Sequence, residues 1–412
     1  MNEPPARSAD DGAAVTPLTE PSGGLPPVTT RPEELEKVMD AFARGTGPVA
    51  ADAERASGYR YGQATYLVQL KRAGAGIALI DPVALPDLSP LGDAIGDAEY
   101  VLHAASQDLP GLGEHGLRPA RVFDTELAAR LLGLERVGLA AVVAETLGLG
   151  LAKEHSAVDW STRPLPEDWL RYAALDVEVL VEVRDDLAER LEAAGKAEWA
   201  AQEFEAVRTA PPPPPRVDPW RRTSGMHVLR KPRQVAVVRA LWEARDATAR
   251  ARDISPGRVL PDRAIVAAAR AMPRTAGQLV ALPEFTGKGA RRRAGYWQRA
   301  IDAASALPES QLPTVRGPRT EGPPAPRLWG DRDPLAARRL KGARELVAGF
   351  SERLSVPVEN LLQPDALRRL CWKPPEPAGA DAVAEFLRSR RAREWQIGLL
   401  ATPLAETLAE IH

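Results

Sequence analysis

Pro48-Val-Ala-Ala-Asp52-Ala-Glu54 decides how the rest of this chain is read. Small and apolar residues lead into two carboxylates, the pattern of a strand buried against a core. Side chains at i and i+2 on a strand share a face, so Asp52 and Glu54 point the same way. Downstream, Asp108 closes His103-Ala-Ala-Ser-Gln-Asp108, just past the apolar run Tyr100-Val-Leu. Tyr172-Ala-Ala-Leu-Asp176 lies in a helical stretch, where i and i+4 again share a face. Four acids and a phenol gathered at one point would hold two divalent metals beside a phosphate. Mg²⁺ and Mn²⁺ prefer carboxylate and water oxygens. Two such ions about 4 Å apart can activate an attacking water and stabilise a leaving oxygen. The pattern suits phosphodiester hydrolysis, with Tyr172 orienting the water by hydrogen bonding and without ionising.

Each piece alone has a plainer reading. An Asp after a strand is often a helix N-cap, and Tyr-x-x-x-Asp is a common half-buried helix face. Together and in this order they resemble the three exonuclease motifs of the DEDD superfamily. Tyr172 selects the tyrosine branch, because the histidine branch would carry His where this chain has Arg171. The likeness to the ribonuclease D family extends through Gly58-Tyr-Arg-Tyr-Gly-Gln-Ala-Thr-Tyr-Leu-Val-Gln69-Leu, Phe123-Asp124-Thr125 and Lys153-Glu-His-Ser-Ala-Val-Asp159-Trp160-Ser-Thr-Arg163-Pro164-Leu165. It implies an α/β RNase H-like (DnaQ-like) exonuclease domain with a mixed sheet. It also implies two divalent ions (Mg²⁺ or Mn²⁺) on Asp52, Glu54, Asp108 and Asp176, with nucleic-acid contacts from His103 and Lys153. The chain departs from the family at Ala53, where Thr is usual, and at Arg55, where an aromatic or small residue is usual. These departures leave the metal-binding acids in place and bear on how the terminal sugar or base is held.

Composition bounds the remainder. A chain of 412 residues suggests two or three domains. The single cysteine, Cys371, excludes an intramolecular disulfide and a cysteine zinc cluster, and the five histidines lack ligand spacing. No apolar run is long enough to span a bilayer, so a cytoplasmic protein with no membrane partner is expected. Residues 1–30, rich in Pro, Gly and Asp, read as a disordered leader. The five prolines of 211–215 read as a stiff linker within 209–215. A second linker is expected over 307–334. The domains expected are the exonuclease at 31–208, a helical domain at 216–306 and another at 335–412.

Net charge conceals this organisation. The whole chain carries −2, but residues 31–208 hold 18 basic and 31 acidic side chains, whereas 211–320 hold 21 basic and 8 acidic. A polyanion is better held by the second segment. Its helix over Gln234–Arg250, the Pro261-Asp262 helix start, Leu282-Pro283-Glu-Phe-Thr-Gly287 and the basic run Arg291-Arg292-Arg293 before Tyr296-Trp297 resemble an HRDC domain. Arg291, Arg292 and Arg293 are the expected phosphate contacts, and Tyr296 and Trp297 are expected in the core. The C-terminal segment resembles a second HRDC-like bundle, with its last helix interrupted at Pro403. The fold expected is therefore an α/β exonuclease followed by two small all-α bundles.

The leading functional reading is a monomeric 3′→5′ exoribonuclease. It would trim tRNA precursors or other structured RNA 3′ ends and release nucleoside 5′-monophosphates. A DNA exonuclease of the same chemistry is the alternative, and a non-catalytic nucleic-acid-binding protein is the second alternative. Truncation after about Arg208 is expected to leave a folded nuclease.

Overall fold

The opening stretch lies at the centre of a sheet. A computed structural model describes residues 15–151, 157–317 and 322–411. Among the described residues the strands are β1 (Thr16–Leu18), β2 (Val28–Thr29), β3 (Thr46–Arg55), β4 (Thr65–Ala73), β5 (Gly76–Ile80), β6 (Glu99–Leu102), β7 (Arg121–Asp124) and β8 (Leu149–Leu151). Six of them form one sheet in the order β2-β5-β4-β3-β6-β7, while β1 and β8 pair separately. β3, β4 and β5 run as an antiparallel meander, and β6 and β7 continue parallel to β3. This is the mixed sheet expected of an RNase H-like fold.

Alternation along β3 sets the two faces. Val49, Ala51 and Ala53 pack with Leu35 and Phe42 of α1 (Pro32–Arg44), Leu91 and Ile95 of α2 (Ser89–Ile95) and Leu112 of α3 (Leu109–Glu114). Ala50 faces the other way, into a core with α4 (Thr125–Leu131), α5 (Leu139–Leu147), α6 (Glu167–Glu178), α7 (Leu180–Ala193) and α8 (Ala197–Arg208). Asp52 and Glu54 share the parity of Ala50, so the acids emerge beside α6. α1 is well specified locally. Pro32 opens it, Glu33 and Glu34 occupy its first turn and Arg44 its last, each complementing the helix dipole.

Residues 15–30 depart from the disordered leader expected from composition. β1 pairs with β8 and β2 with β5, the Ser22 amide donates to Glu178, and Glu20 meets Arg171 at 2.7 Å. Strand pairs of two or three residues present no periodicity, and the partners that order them lie far away in the chain.

The middle region has its own core. Helices Pro232–Arg252, Asp262–Ala271 and Ala294–Ser305 bury Leu241, Ile265, Phe285, Trp297 and Ile301, and Trp220 closes one end. Trp297 is core as expected, but Tyr296 is at the surface, its hydroxyl donating to the Ala244 carbonyl. The bundle docks on the loop after β3 through hydrogen bonds and cation–π contacts. Ser255 N–H donates to Tyr59 O (2.8 Å), and Arg258 donates to Gly58 O (2.8 Å) while stacking on the Tyr59 ring. The Tyr61 hydroxyl meets Asp246 at 3.0 Å, and its amide donates to Asp253.

The C-terminal helices are joined differently. Leu340, Val347, Leu361, Leu370, Leu387, Leu400 and Leu404 belong to the same hydrophobic cluster as Leu131, Val183, Leu187 and Phe204 of the nuclease. Trp395 stacks on Trp199 at 4.7 Å, and its indole N–H donates to Glu203, which also pairs with Arg393. Lys196 donates to the carbonyls of Leu131 and Leu354, both at 2.6 Å. Gly133 (φ +76°) lies at the closest approach, where a Cβ would collide with the Ser355 backbone. A cut after Arg208 would expose this core, which argues against the expectation that it leaves a folded nuclease. Trp329, assigned from composition to the 307–334 linker, is fully buried within it. The helix Glu394–Glu410 also runs unbroken through Pro403, held by buried Leu400, Leu404 and Leu408.

Candidate active site

β3 supplies Asp52 and Glu54, the turn between β6 and α3 supplies Asp108, and one face of α6 supplies Tyr172 and Asp176. All five line one cleft of about 670 Å³, together with Arg55 and His103. Carboxylate oxygens of Asp52, Glu54 and Asp176 lie within 4.8 Å of one another. The Tyr172 hydroxyl donates to Asp176 one turn away. A register irregularity in the β3–β4 pairing falls at Glu54 and Arg55, and such bulges re-aim side chains beside sites.

Supporting contacts fix each contributor. Asp124, buried at the end of β7, accepts from the amides of Ala104 and Ala105, and also from Glu126 and Leu127 at the start of α4. It thereby holds the turn carrying Asp108 while capping a helix. Arg163 spans the approach to α6. It pairs with Asp81 at 2.6 Å and donates to the carbonyls of Tyr66 and Trp160, tying the segment before α6 to the sheet. Trp160 is fully buried in the cluster that includes Ala173 and Ala174 of α6.

The electrostatics are those of crowded acids. Burial, then the charges of Asp52, Asp176 and Asp108, push Glu54 up to about 9. Burial and Asp52 push Asp108 up to about 7 against the opposing pull of Arg55. Burial raises Asp52, and burial together with Asp52 raises Asp176 well above the carboxylate range. Tyr172 is raised as well, by burial and then by Asp176 and Glu54, so it remains a neutral phenol. An all-oxygen cluster that resists holding several negative charges fits a hard divalent cation, whose charge would offset the repulsion.

Asp108 occupies the N-cap position of α3, yet its side chain makes no capping hydrogen bond. It accepts instead from Arg55 at 2.9 Å. His103 lies in the cleft with Nδ1 2.9 Å from the Thr125 hydroxyl, and burial brings its pKa down to about 4. At neutral pH it has no charge to offer a phosphate. Lys153 lies outside the described residues. Arg291, Arg292 and Arg293 are exposed on the middle bundle and are not among the residues lining the cleft. Two of them also serve the bundle itself, Arg291 donating to Phe285 O and Arg293 to the Thr248 hydroxyl. The long-range engagements of Asp124 with Ala105, of Arg163 with Tyr66 and of Arg55 with Asp108 escape a sequence reading, because these partners are 19, 97 and 53 residues distant.

Comparison with known proteins gives three family matches. Residues 27–192 match a family described as 3′-5′ exonuclease, residues 234–301 an HRDC domain, and residues 322–408 a 3′ to 5′ exonuclease C-terminal domain. Ribonuclease D of Gluconacetobacter diazotrophicus is 33% identical over 314 residues, covering 74% of this chain and 78% of that protein. A protein from Bifidobacterium adolescentis of known crystal structure is 40% identical with a TM-score of 0.88, covering 96% of this chain and all of that one. Escherichia coli RNase D, described as an exoribonuclease involved in structured RNA processing, superposes with a TM-score of 0.65 at 27% identity, over 93% of this chain and 98% of that one.

Proposed function

The chain belongs to the ribonuclease D family and is a 3′–5′ exoribonuclease, and from that premise we propose that Asp52, Glu54, Asp108, Tyr172 and Asp176 form its catalytic site. The observation that carries the assignment is the meeting of the Asp52, Glu54 and Asp176 carboxylates within 4.8 Å, in a cleft that Asp108 and Tyr172 also line. The four acids would hold two divalent ions, Mg²⁺ or Mn²⁺. Bound there, the ions supply activation of the attacking water and stabilisation of the leaving 3′ oxygen. Tyr172, kept neutral, orients the water through its hydroxyl while Asp176 fixes the phenol. Nucleoside 5′-monophosphates are released from the 3′ ends of tRNA precursors or other structured RNAs. The basic bundle, through Arg291, Arg292 and Arg293, supplies hold on the backbone, and His103 contributes an uncharged contact. The enzyme acts as a cytoplasmic monomer.

The test is incubation with matched RNA and DNA strands in Mn²⁺ or EDTA, with the products resolved. RNA shortened from its 3′ end, in Mn²⁺ alone, is the expected result. Asp52→Ala, Glu54→Ala, Asp108→Ala and Asp176→Ala should each lower kcat by more than about 10²-fold, the scale of losing one transition-state stabiliser. Tyr172→Phe should cost about 10²-fold with metal affinity retained. A variant that keeps its rate removes that residue from the site.

A further inference from the structure

Among the described residues lining the cleft, Arg55 is the one charged group that the proposed chemistry leaves unused. It follows Glu54 directly, at the end of β3. Its Nη1 donates to Asp108 Oδ1 at 2.9 Å and to the Gln107 carbonyl at 2.7 Å. Both partners of the ion pair are interior, with side chains 20% and 6% exposed. Asp52, Glu54 and Asp176 offer their oxygens to one another's centre, whereas Asp108 is not part of that set. The fourth acid is thus already engaged by a cation of the chain itself.

We propose that Arg55 is a positioning residue that competes with divalent metal for Asp108, and that a phosphate group entering the cleft draws it away. This rests on the reading of the four acids as metal ligands. A divalent ion attracts a carboxylate more strongly than a guanidinium does, but displacing Arg55 strands its charge in a partly desolvated cleft, and an unpaired interior charge is costly. A phosphate removes that cost, because the planar guanidinium fork matches its oxygens. Occupancy of Asp108 by metal and of Arg55 by phosphate therefore favour one another, and such coupling is reciprocal. The site loads fully only when a nucleotide phosphate is present. Positioned next to Glu54 at the β3 irregularity, Arg55 senses that phosphate at the metal centre itself.

The experiment is calorimetric titration of the full chain with Mn²⁺, with and without saturating adenosine 5′-monophosphate as the phosphate probe. For the unaltered chain, the nucleotide should tighten the weaker Mn²⁺ site about tenfold, within the usual range of coupling energies. Arg55→Gln should bind Mn²⁺ about tenfold more tightly without nucleotide and respond to it by less than about twofold. Arg55→Lys, which keeps the charge and loses the fork, should fall between them and serves if Arg55→Gln does not fold. In an Asp108→Asn background, Arg55→Gln should change nothing, and a gain there would overturn the proposal in favour of a general field effect. Equal Mn²⁺ affinity for the folded Arg55 variants and the unaltered chain would overturn it too, with the metal site left standing. If no form of the chain binds Mn²⁺, the metal reading fails and this inference with it.

Discussion

The two helical bundles attached to the nuclease are joined to it by opposite means. The middle bundle keeps its own core around Trp297 and touches the nuclease through Tyr59, Tyr61, Asp246, Asp253 and Arg258. The C-terminal bundle has no core separate from the nuclease, because Leu340, Val347, Leu361 and Leu400 pack in one cluster with Val183, Leu187 and Phe204. A polar joint leaves each side folded when it parts, since water replaces its hydrogen bonds. A shared apolar core does not, because parting exposes surface that only the partner covered. The middle bundle is accordingly a separate module, and the C-terminal one is part of the nuclease body.

The largest effect that would test this contrast is deletion of residues 322–412. Each large side chain exposed forfeits about 1.5–3 kcal/mol, so Leu131, Val183, Leu187 and Phe204 together forfeit an amount comparable to the roughly 5–15 kcal/mol by which a domain is stable. The truncated chain should show no cooperative thermal transition by circular dichroism. A stable nuclease from that deletion would erase the distinction. Next in size is Glu203→Ala, which strands Arg393 at the apolar joint and should cost about 3–5 kcal/mol in urea unfolding.

Acidity separates the two parts further. Among the described residues, every carboxyl raised above its ordinary range, Asp52, Glu54, Asp108, Asp124 and Asp176, belongs to the nuclease. A carboxyl raised in the folded state is protonated there while the unfolded chain already ionises it, so unfolding gains as pH rises. In EDTA the nuclease body should lose stability from about pH 4, where free carboxyls ionise, with the contribution of Asp108 complete near 7 and that of Glu54 near 9. Glu54→Gln or added Mn²⁺ should flatten this dependence, and urea midpoints at pH 5 and pH 8 measure it. An unchanged slope would mean the acids are not crowded in solution.

Charge reversal of Arg291, Arg292 and Arg293 to Glu should cost the bundle the Arg291 and Arg293 hydrogen bonds, leave kcat intact and raise KM for a tRNA-sized substrate. The slope of log Kobs against log salt should fall by about 0.7–0.9 for each phosphate that the bundle no longer neutralises. Equal slopes would reduce these arginines to a solvated face. Smallest is Tyr61→Phe, which removes the hydroxyl shared by Asp246 and Arg250. It should weaken docking of the middle bundle by about 0.5–1.5 kcal/mol, visible as faster hydrogen exchange in 58–61 and 246–258 with the nuclease core unchanged.

The sequence by itself determined what short-range geometry carries. Asp52 and Glu54 share a strand face, Tyr172 and Asp176 share a helix face, and the order of these motifs sufficed to identify the acids that meet in the cleft. Period 2 and period 3.6 are properties of neighbouring residues, so they are written locally. What only the tertiary structure decided are pairings between distant segments: Arg55 with Asp108 across 53 residues, Tyr61 with Asp246 across 185, and Arg393 with Glu203 across 190. The strapping of residues 15–30 onto the sheet and the burial of Trp329 are of the same kind. Composition described those segments as leader and linker, yet their order comes from unpaired sheet edges and an uncovered apolar face elsewhere in the chain. Which two surfaces meet depends on the whole fold, and no local pattern records it.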